Sequence, residues 1–526
     1  MRRIALLVSL FIAVAVRAAD APERQWIVVT APAFREALTP LCKQREKQGF
    51  HVTVVATTDV LEKKQIVAGD ANKLRARVRQ VCKDFKGTSY VLLVGAVEAG
   101  TLEMPENKVV PVVRGSTGRM KGEPSDNGYG CLDDSLLPTV AVGRFPARSV
   151  KEVEGMVNKT LAYENDDKPG EWRRRLTVLA GVPAFNPLAD RMVENLAMAR
   201  FGKLDPVWMG QAIYHNAGSR FTVPDDQLHE RALKYLEGGA AFTLYLGHSS
   251  AEGLYAPKTK FLDRDDFAKL KITRGHGILG TFGCNGCQLS GKDGEGYGVF
   301  AMRNPNGPVA VTGSHGVCFA AMVQLATDGL FRSFSGSLPE RLGDLCLDVK
   351  RGVAKGEMDE NAFNLLDSVD GDPDIPQATQ RLEHLEMFLL LGDPALKLPV
   401  VRTDLKLKVS DAKPGDTVRV NIDLPDRLVG GDVRLTVERP INSEPTDLEP
   451  VPDKPGEARE RAILANHERA NRFAVGTRQL QRAEKSIEAD VELPAKVPWR
   501  KLVVRAYAVK DNEEGIGVIT MEVKKP

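Results

Sequence analysis

The chain has 526 residues, 43% apolar and 27% charged, with 72 basic side chains against 70 acidic ones and a formal charge of +2. That composition excludes a mostly disordered chain, and the near balance of charge gives no reason to expect nucleic acid or an acidic membrane as partner. At roughly 100–200 residues per domain the length allows about three domains.

The first residues combine a basic "MRR", an apolar "IALLVSLFIAVAV" and small residues at "VRAA". This is the pattern of a secretory signal peptide over 1–19, too short to span a bilayer comfortably. No later apolar run is long enough to cross a membrane, so the processed chain is expected to be exported, without a membrane span, to the periplasm, the cell surface or the medium. Export also bears on Cys42, Cys82, Cys131, Cys284, Cys287, Cys318 and Cys346. An oxidising compartment favours pairing, and an odd count leaves at least one thiol over.

From there "QWIVVTA", "FHVTVVAT", "SYVLLVGAV" and "LPTVAVGRFPA" read as buried strands. "FREALTPLCKQREKQG", "ANKLRARVRQVCKDFKG" and "SVKEVEGMVNKTLAYEND" read as the helices among them, Phe34, Leu38 and Leu41 sharing one face. After the break at "DDKPGEW" the alternation resumes. "RRLTVLAGVP", "AAFTLYLGHSS", "HGILGTFGCNG" and "GPVAVTGSHG" are strands, "PLADRMVENLAMARFG" and "DDQLHERALKYLEGG" helices, and "HLEMFLLLGDPALKLPV" closes the region. Strand–helix alternation predicts a doubly wound, mostly parallel sheet, here in an N-terminal part (20–168) and a second part (169–402). From 403 to 526 short alternating strands separated by Pro, Gly and Asp predict a small β-sandwich. The charged Glu457–Glu484 insert within it reads as a solvated surface helix or loose loop.

In open α/β sheets ligands bind beyond the carboxyl ends of the strands. His248 and Cys284 each fall just past such an end. A thiol attacks a carbonyl as its thiolate; an adjacent imidazole can take the proton and later return it to a leaving amine. The N–H groups of Ser249 and Cys284 are available for a developing oxyanion, and the glycines around Cys284 let a substrate backbone approach. Each residue also has a plain reading: His248 a structural histidine, Asp190 a first-turn carboxylate favoured by the helix dipole, His315 a second strand-end imidazole. "CNGC" has redox-motif spacing, but the loop-like "QLSGKDGEGYG" after it disfavours a thioredoxin-type site. A Cys284–Cys287 disulfide formed on oxidation stays open. Zinc is not expected, since no second Cys/His pair is suitably spaced. "GCLDDSLLP" and "DGDPDIP" read as acidic turns or a calcium loop without the EF-hand pattern.

Taken in order, "IVVTAPAFREALTPLCKQREKQGFHVTVV", "YVLLVGA", "PSDNGYGCLDDSLLPTVAVGRFPARS", "LYLGHSSAEG", "GTFGCNGCQL", "GPVAVTGSHG" and "LLLGDPALKL" resemble the gingipain-type cysteine peptidases over roughly Trp26 to Val400. The resemblance implies a caspase-like α/β fold of two subdomains followed by an immunoglobulin-like β-sandwich. It also implies a thiol protease acting on proteins or peptides through His248 as base and Cys284, not Cys287, as nucleophile. Asp190 would recognise a basic side chain, giving cleavage after Arg or Lys, and His315 would border the substrate pocket. No cofactor is required, and calcium is admitted because gingipains bind it. Relatives include a sortase-like transpeptidase that processes exported proteins. Three places depart from the family pattern. Ser249 follows the histidine in place of glycine, Ala96 stands where an aspartate is common, and "AGVPAF" carries no carboxylate to orient the imidazole. An inactive caspase-like binding module is therefore the remaining alternative.

Overall fold

The computed structural model describes residues 23–98, 104–184, 187–358, 360–399 and 402–524, so the signal-peptide segment lies outside the described residues. Ten strands form one sheet. In chain order they are β1 (Arg24–Thr30), β2 (Phe50–Ala56), β3 (Thr88–Val94), β4 (Ala141–Phe145), β5 (Arg175–Gly181), β6 (Met209–His215), β7 (Ala240–Leu246), β8 (His276–Phe282), β9 (Ala310–Ser314) and β10 (Phe388–Leu391). Their spatial order is β2-β1-β3-β4-β10-β9-β8-β7-β5-β6, and all neighbours are parallel except β9 and β10. The two α/β segments thus share one continuous sheet, stitched at its centre by β10. The interior strands are buried on both faces, as parallel strands covered by helices must be.

The helices that matter below are α1 (Thr39–Lys47), α2 (Asn72–Asp84), α3 (Val150–Glu164), α4 (Pro187–Phe201), α5 (Leu228–Glu237), α6 (Ala320–Ser335), α7 (Leu342–Lys355), α8 (Glu360–Asp370) and α9 (Gln377–Met387). Ser149 caps α3, its Oγ accepting the Glu152 N–H at 3.3 Å. Strand β6 and helices α6 to α9 are not among the elements predicted from the sequence.

The "GDP" turn after β10 closes this body. Asp393 accepts Arg45 Nη2 at 2.7 Å and Trp26 Nε1 at 3.0 Å, and Arg45 Nη1 reaches Glu164 at 2.8 Å. All three charged groups are buried, so the cluster ties β1, α1, α3 and the β10 turn together through fully paired charges.

Beyond 402, two antiparallel sheets enclose a separate apolar core. One contains β11 (Lys406–Val409), β12 (Thr417–Asp423) and β15 (Ser486–Glu492). The other contains β13 (Asp432–Glu438), β14 (Ala474–Leu480), β16 (Lys501–Lys510) and β17 (Glu513–Glu522). Strand β12 alternates buried and exposed along its length, the period-2 pattern of a half-buried strand.

The insert corrects the expectation of a solvated helix or loop. It forms α10 (Glu457–Asn471), followed by strand β14, and α10 buries His467 and Ala470. Asn471 accepts the Ala212 N–H at 2.6 Å and donates to the Ala212 carbonyl at 3.0 Å. The side-chain amide thereby substitutes for a neighbouring strand on β6, the outermost strand of the ten, and covers an edge that would otherwise be open to pairing. The segment's charged composition concealed this, since only one face of the helix packs.

His315, His384 and His467 are buried, and burial pushes each imidazole down to about 4. Unfolding releases them to take up protons near their ordinary value of about 6.5. The unfolded chain therefore binds more protons between those values, and stability is lost as pH falls through the window. We expect a melting midpoint that drops between pH 7 and 4.5. His467→Gln should make the drop shallower, by roughly 1–3 kcal/mol over the window.

Candidate active site

The loops after β7 and β8 bring the site together, because those strands are parallel neighbours with Phe282 opposite Leu246. His248 follows β7. Its backbone carbonyl accepts from the Tyr245 hydroxyl and from the Tyr255 N–H, and its Nε2 lies 2.7 Å from the Pro183 carbonyl. That carbonyl sits in the "AGVPAF" turn, where the sequence offers no carboxylate. In a neutral imidazole an Nε2–H donated to Pro183 puts the accepting lone pair on Nδ1.

Cys284 follows β8. Asn285, the next residue, adopts φ 58°, a left-handed conformation that asparagine tolerates, and its N–H reaches the Gly316 carbonyl at 3.0 Å. Ser249 Oγ donates to the Cys284 carbonyl at 2.7 Å, so the serine in the place of the family's glycine joins the two loops. A Cβ at Gly283 would come within 2.3 Å of that Oγ, so this approach requires glycine. The Cys284 thiol is brought down to about 7, first by hydrogen bonding from Cys318, against the upward push of burial, with His248 adding a smaller downward pull.

A cavity of about 200 Å³ opens beside both residues, walled by α4, α6 and the strand ends. Val193, Ala197 and Phe201 recur every four residues along the inner face of α4; Val323 and Phe331 face them from α6. Glu194 and Asp370 stand in this largely apolar wall. Glu194 accepts from Ser219 Oγ at 2.8 Å and Asp370 from the Ala320 N–H at 2.7 Å. Arg200 also lines the cavity and is held by Asp328 at 3.0 Å.

Asp190 is buried in the first turn of α4, one turn before Glu194 on the same side of the helix, with the Tyr214 hydroxyl 3.5 Å from its carbonyl. His315 is buried with its Nδ1 accepting the Leu289 N–H at 3.1 Å. Neither is among the described residues lining the cavity. Cys287 turns into the core: it is fully buried, its N–H bonds Ser314 at 2.8 Å and burial pushes its thiol up. All seven thiols are free. Among the described residues no group of three His, Cys, Asp or Glu side chains could hold a metal ion, and no helix is long and apolar enough to cross a membrane. Sequence reasoning did not single out Glu194, Asp370 or Cys318 for this site. The acidic "DGDPDIP" stretch and the cysteine three residues after His315 were the signals available.

A thiol poised to ionise near neutrality and an imidazole on neighbouring loops, at the mouth of one cavity, define the site of a cysteine-type hydrolase. The model of peptidase family C25 matches residues 20–399, and the chain belongs to that family of cysteine-type peptidases. Lys-gingipain of Porphyromonas gingivalis is 21% identical over 231 residues, covering 43% of this chain and 12% of that protein, so this match spans only about an eighth of the relative's length. Among solved structures, the Arg-specific cysteine proteinase gingipain R aligns over 97% of this chain and 99% of its own, at 16% identity and a TM-score of 0.53. The complex of the pro- and mature domains of the Porphyromonas gingivalis enzyme RgpB aligns over 95% of this chain and 100% of its own, at 16% identity and a TM-score of 0.52. At such identities these structures establish a shared gingipain-like α/β fold.

Proposed function

We propose that the protein is an exported cysteine endopeptidase in which Cys284 is the nucleophile and His248 the general base and acid. The observation that carries this reading is the convergence of an orientable imidazole and a readily ionised thiol on one cavity mouth. The Cys284 thiolate attacks the scissile carbonyl carbon, and its proton resides on His248. N–H groups of Ser249 and Cys284 receive the oxyanion. Collapse expels the amine, which takes the proton from His248, and leaves a thioester. Water, deprotonated by His248, then releases the acid and restores the thiol. The reading needs no cofactor. Its division of the chain places the catalytic part at 169–402 and an immunoglobulin-like sandwich at 403–526.

The same reading assigns cleavage after Arg or Lys, with Asp190, one helical turn from the cavity-lining Glu194, as the recognising carboxylate. The wall supports a basic side chain: its apolar surface suits an aliphatic stem, and Glu194 and Asp370 add negative charge. Reduced protein incubated with a peptide library varied at the residue before the scissile bond should cleave after Arg or Lys. Cleavage of no member would overturn the peptidase reading. Asp190→Asn is expected to lower kcat/KM for those peptides by roughly 10- to 100-fold while changing Ala or Leu peptides little, the size of one lost charge-assisted bond. An equal loss on every peptide would remove Asp190 from the specificity role.

A further inference from the structure

Cys284 and Cys318 follow adjacent parallel strands, β8 and β9, and meet although they lie 34 residues apart in the chain. The Cys318 N–H points at the Cys284 sulfur from 3.4 Å, and the Cys284 thiol, while protonated, reaches the Cys318 carbonyl at 3.9 Å. The Cys318 sulfur also lies 3.7 Å from the Gly283 carbonyl and 3.9 Å from that of Gly316. Cys318 is therefore packed between the two loops that shape the nucleophile, with 7% of its surface exposed.

We propose that Cys318 is a positioning residue for the nucleophile: its N–H donates to the Cys284 sulfur, and its thiol, packed against the Gly283 and Gly316 carbonyls, holds that N–H in place. The proposal rests on Cys284 being the nucleophile. Donors to the charged form of an acid favour that form. Cys318 suits the role because the nearby Cys284 sulfur and its own burial push its thiol well above the ordinary value, so it keeps its proton. The other groups facing this pair divide. His248, from the loop after β7, favours the Cys284 thiolate, and Asp370, at the end of α8, opposes it. Arg119 lies toward Cys318 and draws its thiol down. The buried phenols of Tyr245 and Tyr297 are both pushed up and stay neutral.

The Cys318 backbone touches the Cys284 sulfur and both residues line one cavity, so a disulfide between them is a chemical readout of the contact. Hydrogen peroxide takes two electrons from the Cys284 thiolate, leaving a sulfenic acid and hydroxide. The Cys318 sulfur then attacks that sulfur, its proton leaves with the hydroxyl as water, and an S–S bond forms. A dithiol reductant returns the two electrons and restores both thiols.

The test compares wild type, Cys318→Ala, Cys318→Ser and Cys284→Ala as full chains. Iodoacetamide labelling of Cys284 and kcat/KM are followed from pH 5 to 9. Cys318→Ala should move the acid limb of both profiles up by about one unit, so labelling at pH 6 slows about tenfold while the rate at high pH stays within about threefold. Cys318→Ser keeps a donor to the Gly283 and Gly316 carbonyls and should restore most of the shift. A residue that only fills space would lower rates at every pH without moving the limb, and an unmoved limb in folded Cys318→Ala overturns the proposal. Where that variant does not fold, the peptide map of peroxide-treated wild type decides. A Cys284–Cys318 disulfide reversed by dithiothreitol supports the contact, and oxidation of Cys284 without that link overturns it. Full activity in Cys284→Ala would instead overturn the nucleophile assignment itself.

Discussion

Cys284→Ala should abolish peptide hydrolysis, lowering kcat by on the order of 10⁴-fold or more, because it removes the sulfur that forms the acyl-enzyme. The thiol is only partly buried and its loss removes little packing, so the thermal midpoint should stay within about 2 °C of wild type. Cys287→Ala should behave in the opposite way. Its sulfur is fully enclosed, so removal leaves a small void costing about 1–2 kcal/mol, while the nucleophile and its pH profile remain. Measuring kcat with a fluorogenic peptide beside urea unfolding of both variants separates the two cysteines. If Cys287→Ala abolished activity and Cys284→Ala retained it, the site as assigned here would be wrong.

The second large effect concerns stability. Arg45→Met removes the cation that, among the described residues, bonds both Asp393 and Glu164 in a cluster whose three charged side chains are at most 1% exposed. Breaking a buried ion pair from one side leaves carboxylates dehydrated and unpaired, which typically costs about 3–5 kcal/mol. Urea denaturation should show a midpoint lowered accordingly with the slope unchanged. Asp393→Asn added to Arg45→Met should recover part of the loss, since the partners are coupled and their effects do not add. Equal, additive losses would mean that the cluster is not a single unit.

Much of the architecture is legible locally. "IVVT", "YVLLV" and "ILGTF" are apolar runs that only a sheet covered on both faces can bury, and they became β1, β3 and β8. The positions of His248 and Cys284 just beyond β7 and β8 follow from the same runs, since a buried strand must end where the polar and glycine residues begin. The edge strand β6 was not legible: "MGQAIYH" mixes half-buried and buried positions because its outer side is covered by α10 rather than by another strand. The role of α10 itself was hidden because a charged helix with one packed face reads like a solvated one.

By itself, then, the sequence determined the alternation of strands and helices, the order of the two loops that bear His248 and Cys284, and the membership of their motifs in one family of patterns. Only the tertiary structure decided that His248 Nε2 meets the Pro183 carbonyl, 65 residues away, and that Cys318 rather than Cys287 lies beside Cys284. It also decided that Asn471 completes the sheet edge at Ala212 across 259 residues. Local spacing fixes which way a side chain leaves its own strand or helix. Which distant group waits there depends on the pairing of strands and the packing of whole elements, and one residue's neighbours along the chain carry no record of it.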